Sequence, residues 1–297
     1  CSGFLITVVI FDSFAMPASK IADASLADWL IYLESLHPKT IEMGLERIDQ
    51  VRLVLDLTPQ FPIIMVGGTN GKGSVCAMLE SILWRAGYTV GCYTSPHLLR
   101  YNERVRINKK EVNDDRFCHV FEKIDAARTQ CQVSLTFFEF GTLAAVSLFI
   151  DARVDVAILE VGLGGRLDAV NIFEPDCSIV TNVDLDHREY LGDTREEIGF
   201  EKAAIFRNHT PAIYAEADVP ESVRSQATTI GANFSQFAKD FGFSKKNQQW
   251  DFWGPKGARH SLPLPALRGD RQLQNASACL AALDTLNEML PISMNAI

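Results

Sequence analysis

The sequence predicts an α/β fold, a mostly parallel sheet flanked by helices, and three observations carry that prediction. Short apolar, β-rich runs alternate with helical spacing along most of the 297 residues. The run "VDVAILEVGLGG", Val154 to Gly165, is almost continuously apolar, as strands covered on both faces are. The stretch "IIMVGGTNGKGSVCAMLESIL", Ile63 to Leu83, passes from an apolar run through a glycine loop into helical spacing.

Taken in order, "SLADWLIYLESL" (Ser25 to Leu36) predicts a helix with Ser25 as its N-cap. Ile63 to Val66 predicts a buried strand. After the loop, Val75, Met78, Leu79, Ile82 and Leu83 recur on one helical face, and Gly87 ends that helix. "YTVGCYTS" reads as a strand, Asp114 to Arg128 as a helix, and "FGTLAAVSLFID" as a second apolar helix. "VDVAILE", "CSIVTNV" and "PAIYAE" supply three more strands. The segment from Phe241 to Arg268, rich in Trp, Pro and Gly, predicts a hairpin or an irregular excursion, and Leu273 to Leu290 a final helix. Ligands of such a sheet gather at the carboxyl ends of its strands.

Composition narrows the function. The chain is ordinary for a soluble globular protein, with 47% hydrophobic and 22% charged residues. Its 28 basic against 37 acidic side chains give a net charge of −9, which argues against nucleic acid or an anionic membrane as partner but leaves a locally held anion open. Seven scattered cysteines without C-x-x-C spacing signal neither a zinc site nor a disulfide framework, and a cytoplasmic location is expected. The apolar run from Phe4 to Phe11 is too short to span a bilayer. With no basic residue ahead of it and no initiating Met, residues 1–15 read as a non-native or disordered leader, with Met16 as the natural start.

The chemistry sits where polar groups interrupt strand ends. A strand, a glycine-rich turn and a helix N-terminus aim several N–H groups and the positive end of a helix dipole at one point, which favours an anion. Lys72 adds a mobile cation and Ser74 a hydroxyl suited to a metal. The loop is not a strict Walker A, which would need glycine at Val66 and Ser or Thr at Gly73. It reads G-T-N-G-K-G-S from Gly68 to Ser74. Glu160 closes the buried run "VAILE", where a carboxylate is placed either to ligate magnesium or to pair with a neighbouring cation. His187, with Asp184 and Asp186, follows another strand, and Ser95 a third. Arg100, Arg104 and Arg106 suit bidentate binding of carboxylate or phosphate, or an ordinary surface role.

With those residues in view, "VGGTNGKGS", "TSPHLLRYNERVRIN", "ILEVGLGGRLDAVN", "LDH" and "EKAAIF" resemble the bacterial dihydrofolate synthase/folylpolyglutamate synthase family, within the ATP-dependent amide ligases that include the Mur ligases. The resemblance runs in order from about Leu26 to Leu286. It implies a P-loop-type Mur ligase central domain over residues 16–290, a linker beginning at 291–297, and a second, smaller α/β domain that is largely absent from this chain. The implied reaction is ATP-dependent addition of L-glutamate to dihydropteroate or to folate polyglutamates through an acyl phosphate. Another Mur-type carboxylate–amine ligase, or a non-catalytic nucleotide-binding fragment, remains as an alternative.

Residue by residue, the resemblance places Thr69, Asn70, Gly71, Lys72, Gly73 and Ser74 at the phosphates and Asn275 near the nucleotide base. It places Ser74, Ser95, Glu160 and His187 at magnesium, with two sites, and adds a monovalent cation as a further ligand. Lys72, His187 and Lys202 become the catalytic set, with Lys202 matching a lysine that is carbamylated in the superfamily; the plainer reading is a pair with Glu201. Thr136, Phe138, Glu139 and Asp168 fall on the pterin side. A monomer working on small molecules, with no nucleic acid and no membrane, is implied. Val170 and Arg188 depart from the family pattern and put nearby substrate contacts in question.

Overall fold

Each predicted strand carries an apolar run that only a sheet covered on both faces can bury, and the chain builds such a sheet. The structure, a computed structural model, describes residues 24–37, 39 and 41–297; the expected leader at 1–15 and Met16 lie outside the described residues. The elements begin with α1 (Leu26–Leu36), α2 (Glu46–Val54), β1 (Ile63–Gly67), α3 (Lys72–Arg85), β2 (Val90–Tyr93), β3 (Val105–Ile107) and β4 (Lys110–Glu111). They continue with α4 (Asp114–Cys131), α5 (Phe137–Asp151), β5 (Val156–Glu160), β6 (Cys177–Val180), α6 (Arg188–Leu191), α7 (Arg195–Ala203), β7 (Pro211–Tyr214), α8 (Glu221–Ile230) and β8 (Asn233–Gln236). A small unit of β9 (Gly242–Lys245), β10 (Gln249–Gly254) and β11 (Gly257–Pro263) precedes α9 (Asp270–Thr285).

The large sheet runs β4-β3-β2-β5-β1-β6-β7-β8 and is parallel from β2 through β8. Its centre is β1, with Met65 opposite Leu159 on one side and Ser178 on the other. Every residue of β1, β2, β5 and β6 is buried, as strands between two helical layers must be. On one face α1, α2, α4 and α5 pack around Trp29, Phe121, Phe140 and Phe149; on the other, α3 and α9 cover Ile64, Val66, Ile158 and Ile179. Because the strands are parallel and in register, Gly67, Tyr93, Glu160 and Val180 end along one edge of the sheet.

Five features differ from the sequence reading. β3 and β4 form an antiparallel margin that was not anticipated, and α2 was missed because only Ile48 and Val51 of its nine residues are buried and no side chain caps it. The excursion after Phe241 is an ordered three-stranded antiparallel sheet that buries Trp250 and Phe252. α9 starts three positions before Leu273, at Asp270, and its regular turns end at Thr285. α5 starts at Phe137, not Phe140, because Thr136 and Glu139 form a capping box at its entrance. No helix among the described residues is long and apolar enough to cross a membrane.

Candidate functional site

The glycine loop sits at the carboxyl edge between β1 and α3. Gly71 occupies the N-cap of α3 in a left-handed conformation (φ +86°), and no side chain caps the helix. α2, α6, α8 and α9 lack a side-chain cap as well, so what sets α3 apart is the glycine loop and lysine at its uncapped end, where no side chain claims the first-turn amides. The loop's own shape is set from β6: Asn182 Oδ1 accepts from the amide of Asn70 (2.9 Å) and its carbonyl from that of Thr69 (3.1 Å), while Thr181 Oγ1 donates to the carbonyl of Asn70 (2.6 Å). Lys72 Nζ folds back to donate to the carbonyls of Gly68 (2.9 Å) and Thr69 (3.3 Å). These features fit an anion: free amides, a braced loop, and a lysine bonded only to loop carbonyls.

Two cavities open near this edge of the sheet, of which only the smaller is lined by the loop itself. The smaller, about 310 Å³, is lined by Asn70, Gly71, Ser74, Thr181, Asn182 and Asn275 among others, and Asn275 packs against the Cα of Gly71 from α9. The larger, about 760 Å³, lies beside the ends of β2 and β5 and gathers Ser95, Thr136, Phe138, Glu139, Asp168 and His187. Lys72 links the groups between them. Its positive charge lowers the proton affinity of Glu160, Asp168 and Lys202 alike.

Glu160, the last residue of β5, is 4% exposed, and its Oε2 accepts from the Ser95 amide at 3.1 Å. Burial raises its carboxyl above the ordinary range, against the pull of that amide, Lys72 and Arg106. Among the described residues no three His, Cys, Asp or Glu side chains are gathered as a metal site. His187, half exposed at the start of α6, approaches only Asp186, at 3.7 Å. A magnesium ion still fits: it takes one or two carboxylates and fills its remaining positions with water and phosphate oxygens, so one buried carboxylate beside a hydroxyl and an anion loop is a complete protein contribution.

Lys202 is buried (3% exposed) on α7 and makes no hydrogen bond or ion pair among the described residues. Burial, with Lys72 adding repulsion and Asp186 and Asp168 opposing it, pushes its ammonium down to about 8. The plainer sequence reading, a pair with Glu201 or another carboxylate, does not hold: Lys202 has no ion pair among the described residues, and Glu201 turns Oε1 to Arg166 Nε at 2.9 Å and leaves Oε2 buried without a partner.

The expected pterin-side residues meet at the large cavity with local bonds the sequence reading overlooked. Thr136 Oγ1 accepts from the Glu139 amide, Glu139 Oε2 from the Thr136 amide (2.7 Å), and Glu139 Oε1 pairs with Arg47 (3.0 Å). Asp168 accepts from the amides of Leu163 (2.8 Å) and Val170 (3.0 Å), and burial pushes its carboxyl up to about 6. Phe138 stacks on Tyr93 with centroids 5.8 Å apart and lies over Gly162, where a Cβ would meet its ring at 2.6 Å. Val170 is wholly buried, and Arg188 pairs with Asp193 at 2.7 Å on the surface. Arg104 also lines the cavity, its Nε on His97 Nδ1 (2.8 Å) and its guanidinium over the rings of Tyr101 and Phe137.

A mostly parallel sheet with an uncapped glycine loop at its carboxyl edge defines an α/β domain with an anion-binding loop. The chain belongs to the Mur ligase family, whose middle-domain model matches residues 66–283. It is 46% identical over 277 residues to the dihydrofolate synthase/folylpolyglutamate synthase of Escherichia coli K12, covering 93% of this chain and 64% of that protein. A structure of E. coli FolC in complex with DHPP and ADP superposes with a TM-score of 0.88 at 45% identity, covering 92% of this chain and 64% of the other. A bifunctional folylpolyglutamate synthase/dihydrofolate synthase with Mn, AMPPNP and L-glutamate bound superposes with a TM-score of 0.84 at 45% identity, covering 92% and 64%. The chain thus spans less than two thirds of the length of these relatives.

Proposed function

We propose that this chain is the ATP-binding portion of a ligase that joins L-glutamate to dihydropteroate, to folate polyglutamates, or to both. The observation that carries the reading is the uncapped α3 N-terminus with Lys72, set near two cavities whose linings match a nucleotide and an aromatic carboxylic acid. The complexes of its relatives with ADP, AMPPNP, Mn, DHPP and L-glutamate support it.

The amides from Gly71 to Ser74 and Lys72 hold the phosphates, the expected Thr69 and Asn70 amides being already bonded to Asn182, and Asn275 faces the nucleotide from α9. Glu160, with Ser74 and Ser95, would hold magnesium, and His187 would join only by turning in from its half-exposed position; the cation would supply charge neutralisation between the substrate carboxylate and the γ-phosphate. Phe138 offers a face for stacking the pterin, with Asp168 at its polar edge. Arg104, one Nε spent on His97, directs the rest of its fork at a carboxylate. Thr136 and Glu139 shape the pocket through the capping box. Lys202, buried and easily neutral, is suited to take up carbon dioxide and present a carbamate to the metal; a monovalent cation completes the set. Transfer of the γ-phosphoryl group to the substrate carboxylate would release ADP and leave an acyl phosphate; attack by the glutamate amine would then form the amide, expelling inorganic phosphate and a proton, and alignment of the two can contribute about 7–11 kcal/mol. The ligase domain, expected over residues 16–290, also takes in residues 291–297: Ala296 is buried, Ile292 and Ile297 pack against the layer between α3 and the sheet, and Tyr88 donates to the Pro291 carbonyl at 3.1 Å.

The test is thermal unfolding of the chain with added ligands. Stabilisation by Mg-ATP and by dihydropteroate, but not by UDP-linked muramyl substrates, is expected. Stabilisation by the muramyl substrates alone would overturn the folate reading.

A further inference from the structure

Glu80 is out of place on a hydrophobic face. It sits in mid α3, 3% exposed, among Cys76, Leu79 and Leu83 in the layer between α3 and the sheet. A carboxylate there is tolerable only if paired. Its partner is Arg106 of β3, whose Nε lies 3.2 and 3.1 Å from the two Glu80 oxygens and whose Nη2 lies 2.9 Å from Oε2. Neither residue lines either of the two cavities at the carboxyl edge. An apolar pair of similar volume would hold α3 against the sheet as well, so packing alone does not account for the ions.

The rest of the Arg106 fork has a task an apolar pair would lack. Nη1 donates to Thr94 Oγ1 and to the carbonyl of Glu103, both at 3.2 Å. Thr94 immediately precedes Ser95, whose amide is bonded to Glu160. Glu103 in turn collects the amides of Leu98, Leu99 and Arg100 on its carboxylate at 2.7 to 2.9 Å. Both feet of the 95–103 loop are therefore tied through one guanidinium to the helix that begins in the glycine loop.

We infer that Glu80 and Arg106 are a positioning pair that fixes the Ser95–Glu160 unit relative to the phosphate loop, and so sets the spacing between metal donors and phosphate donors. This rests on the nucleotide-and-metal reading above. The pair acts through Thr94, Ser95 and Glu160 and touches no ligand itself.

The test uses the full chain, Arg106→Lys, and the double variant Glu80→Met/Arg106→Met. Lysine keeps the charge and one contact to Glu80 but cannot fork to Thr94 and Glu103. Manganese is titrated into protein saturated with AMPPNP, free metal is read by electron paramagnetic resonance, and nucleotide affinity in EDTA and the unfolding midpoint are measured alongside. Both variants should lose about tenfold or more in manganese affinity, the scale for displaced supporting partners, with metal-free nucleotide affinity unchanged. The double variant should also unfold near the wild-type midpoint. Wild-type manganese affinity in Arg106→Lys, its recovery in the double variant, or loss of metal-free nucleotide binding in step with the midpoint would each overturn the inference. Wild-type protein that holds no manganese with AMPPNP would strike the underlying reading too, a result distinct from wild type and variant binding equally well.

Discussion

The amide of Ser95 donates to Oε2 of Glu160 at 3.1 Å, so the ends of neighbouring strands β2 and β5 share one carboxylate. Oε1 has no protein donor among the described residues, and burial already disfavours its charge. Glu160→Gln keeps an acceptor for Ser95 and removes the charge. Its unfolding midpoint should rise, while its manganese affinity with AMPPNP falls by more than the roughly tenfold that a lost supporting partner costs. A calorimetric midpoint below wild type, or unchanged metal affinity, would contradict this.

Lys72 contacts only the carbonyls of Gly68 and Thr69, both in its own loop. Lys72→Ala should therefore unfold near the wild-type midpoint yet lose ATP affinity by about tenfold or more, since a hydrogen bond to a charged group is worth about 1.5–3 kcal/mol. Titration calorimetry reads the affinity; retained affinity would remove the loop lysine from phosphate binding.

Lys202 links stability to pH. Its ammonium titrates near 8 in the folded chain and near 10.5 when unfolded, so above pH 8 the folded state gives up the proton while the unfolded state keeps it. Relative to Lys202→Met, wild-type stability should rise across that window and level off above it, by about 3 kcal/mol at 1.36 kcal/mol per pKa unit, while the buried Cys76, Cys92, Cys177 and Cys279 thiols act in the opposite sense in both proteins. Lys202→Met should be the more stable protein at pH 7 and show no such rise; denaturant unfolding at several pH values decides.

The same shift leaves a sizeable fraction of neutral amine at mildly alkaline pH. Protein equilibrated with ¹³C-bicarbonate should show one carbamate resonance that is missing in Lys202→Met. A spectrum shared by the two would exclude carbamylation at this residue.

Two loop glycines should respond oppositely to alanine. Gly68 has φ +137°, and a Cβ there would overlap Thr181 Oγ1 and lie 3.0 Å from the Thr181 amide nitrogen, so Gly68→Ala should lose about 1–3 kcal/mol or more. At Gly73 nothing lies within 4 Å of the added Cβ. Gly73→Ala should leave the fold as stable or up to about 1 kcal/mol more so, while its methyl crowds the anion and weakens ATP binding. Equal destabilisation of the two would refute this account of the loop.

The strand–loop–helix unit was legible because its signals are local: an apolar run, glycines, then helical spacing within 21 residues, Ile63 to Leu83. The meeting of Ser95 and Glu160 follows from equally local signals, Glu160 closing β5 and Ser95 lying two residues beyond β2. Thr136 and Glu139 were read as ligand contacts because the T-x-x-E pattern of a helix start was overlooked, although it is present in the sequence. The surroundings of Lys202 were not legible, since Lys72 and Asp168 reach it only through the fold. Glu80 gave no signal at all: its partner lies 26 positions away on a three-residue strand whose pattern is too short to register.

The placement of α9 has a kinetic meaning. Cys279 meets the carbonyl of Val75 across 204 positions of chain, and the same helix covers β6 and β7 and braces Gly71 with Asn275. During synthesis the apolar face of α3, with Val75, Leu79 and Leu83, must wait for α9, which emerges about 200 residues later. Contacts of such long sequence separation slow folding and lengthen the time a sticky half-core is bare. Nascent chains stopped before Asp270 should therefore need a holding chaperone to stay dispersed, and release of α9 from the ribosome should be the event that ends that need.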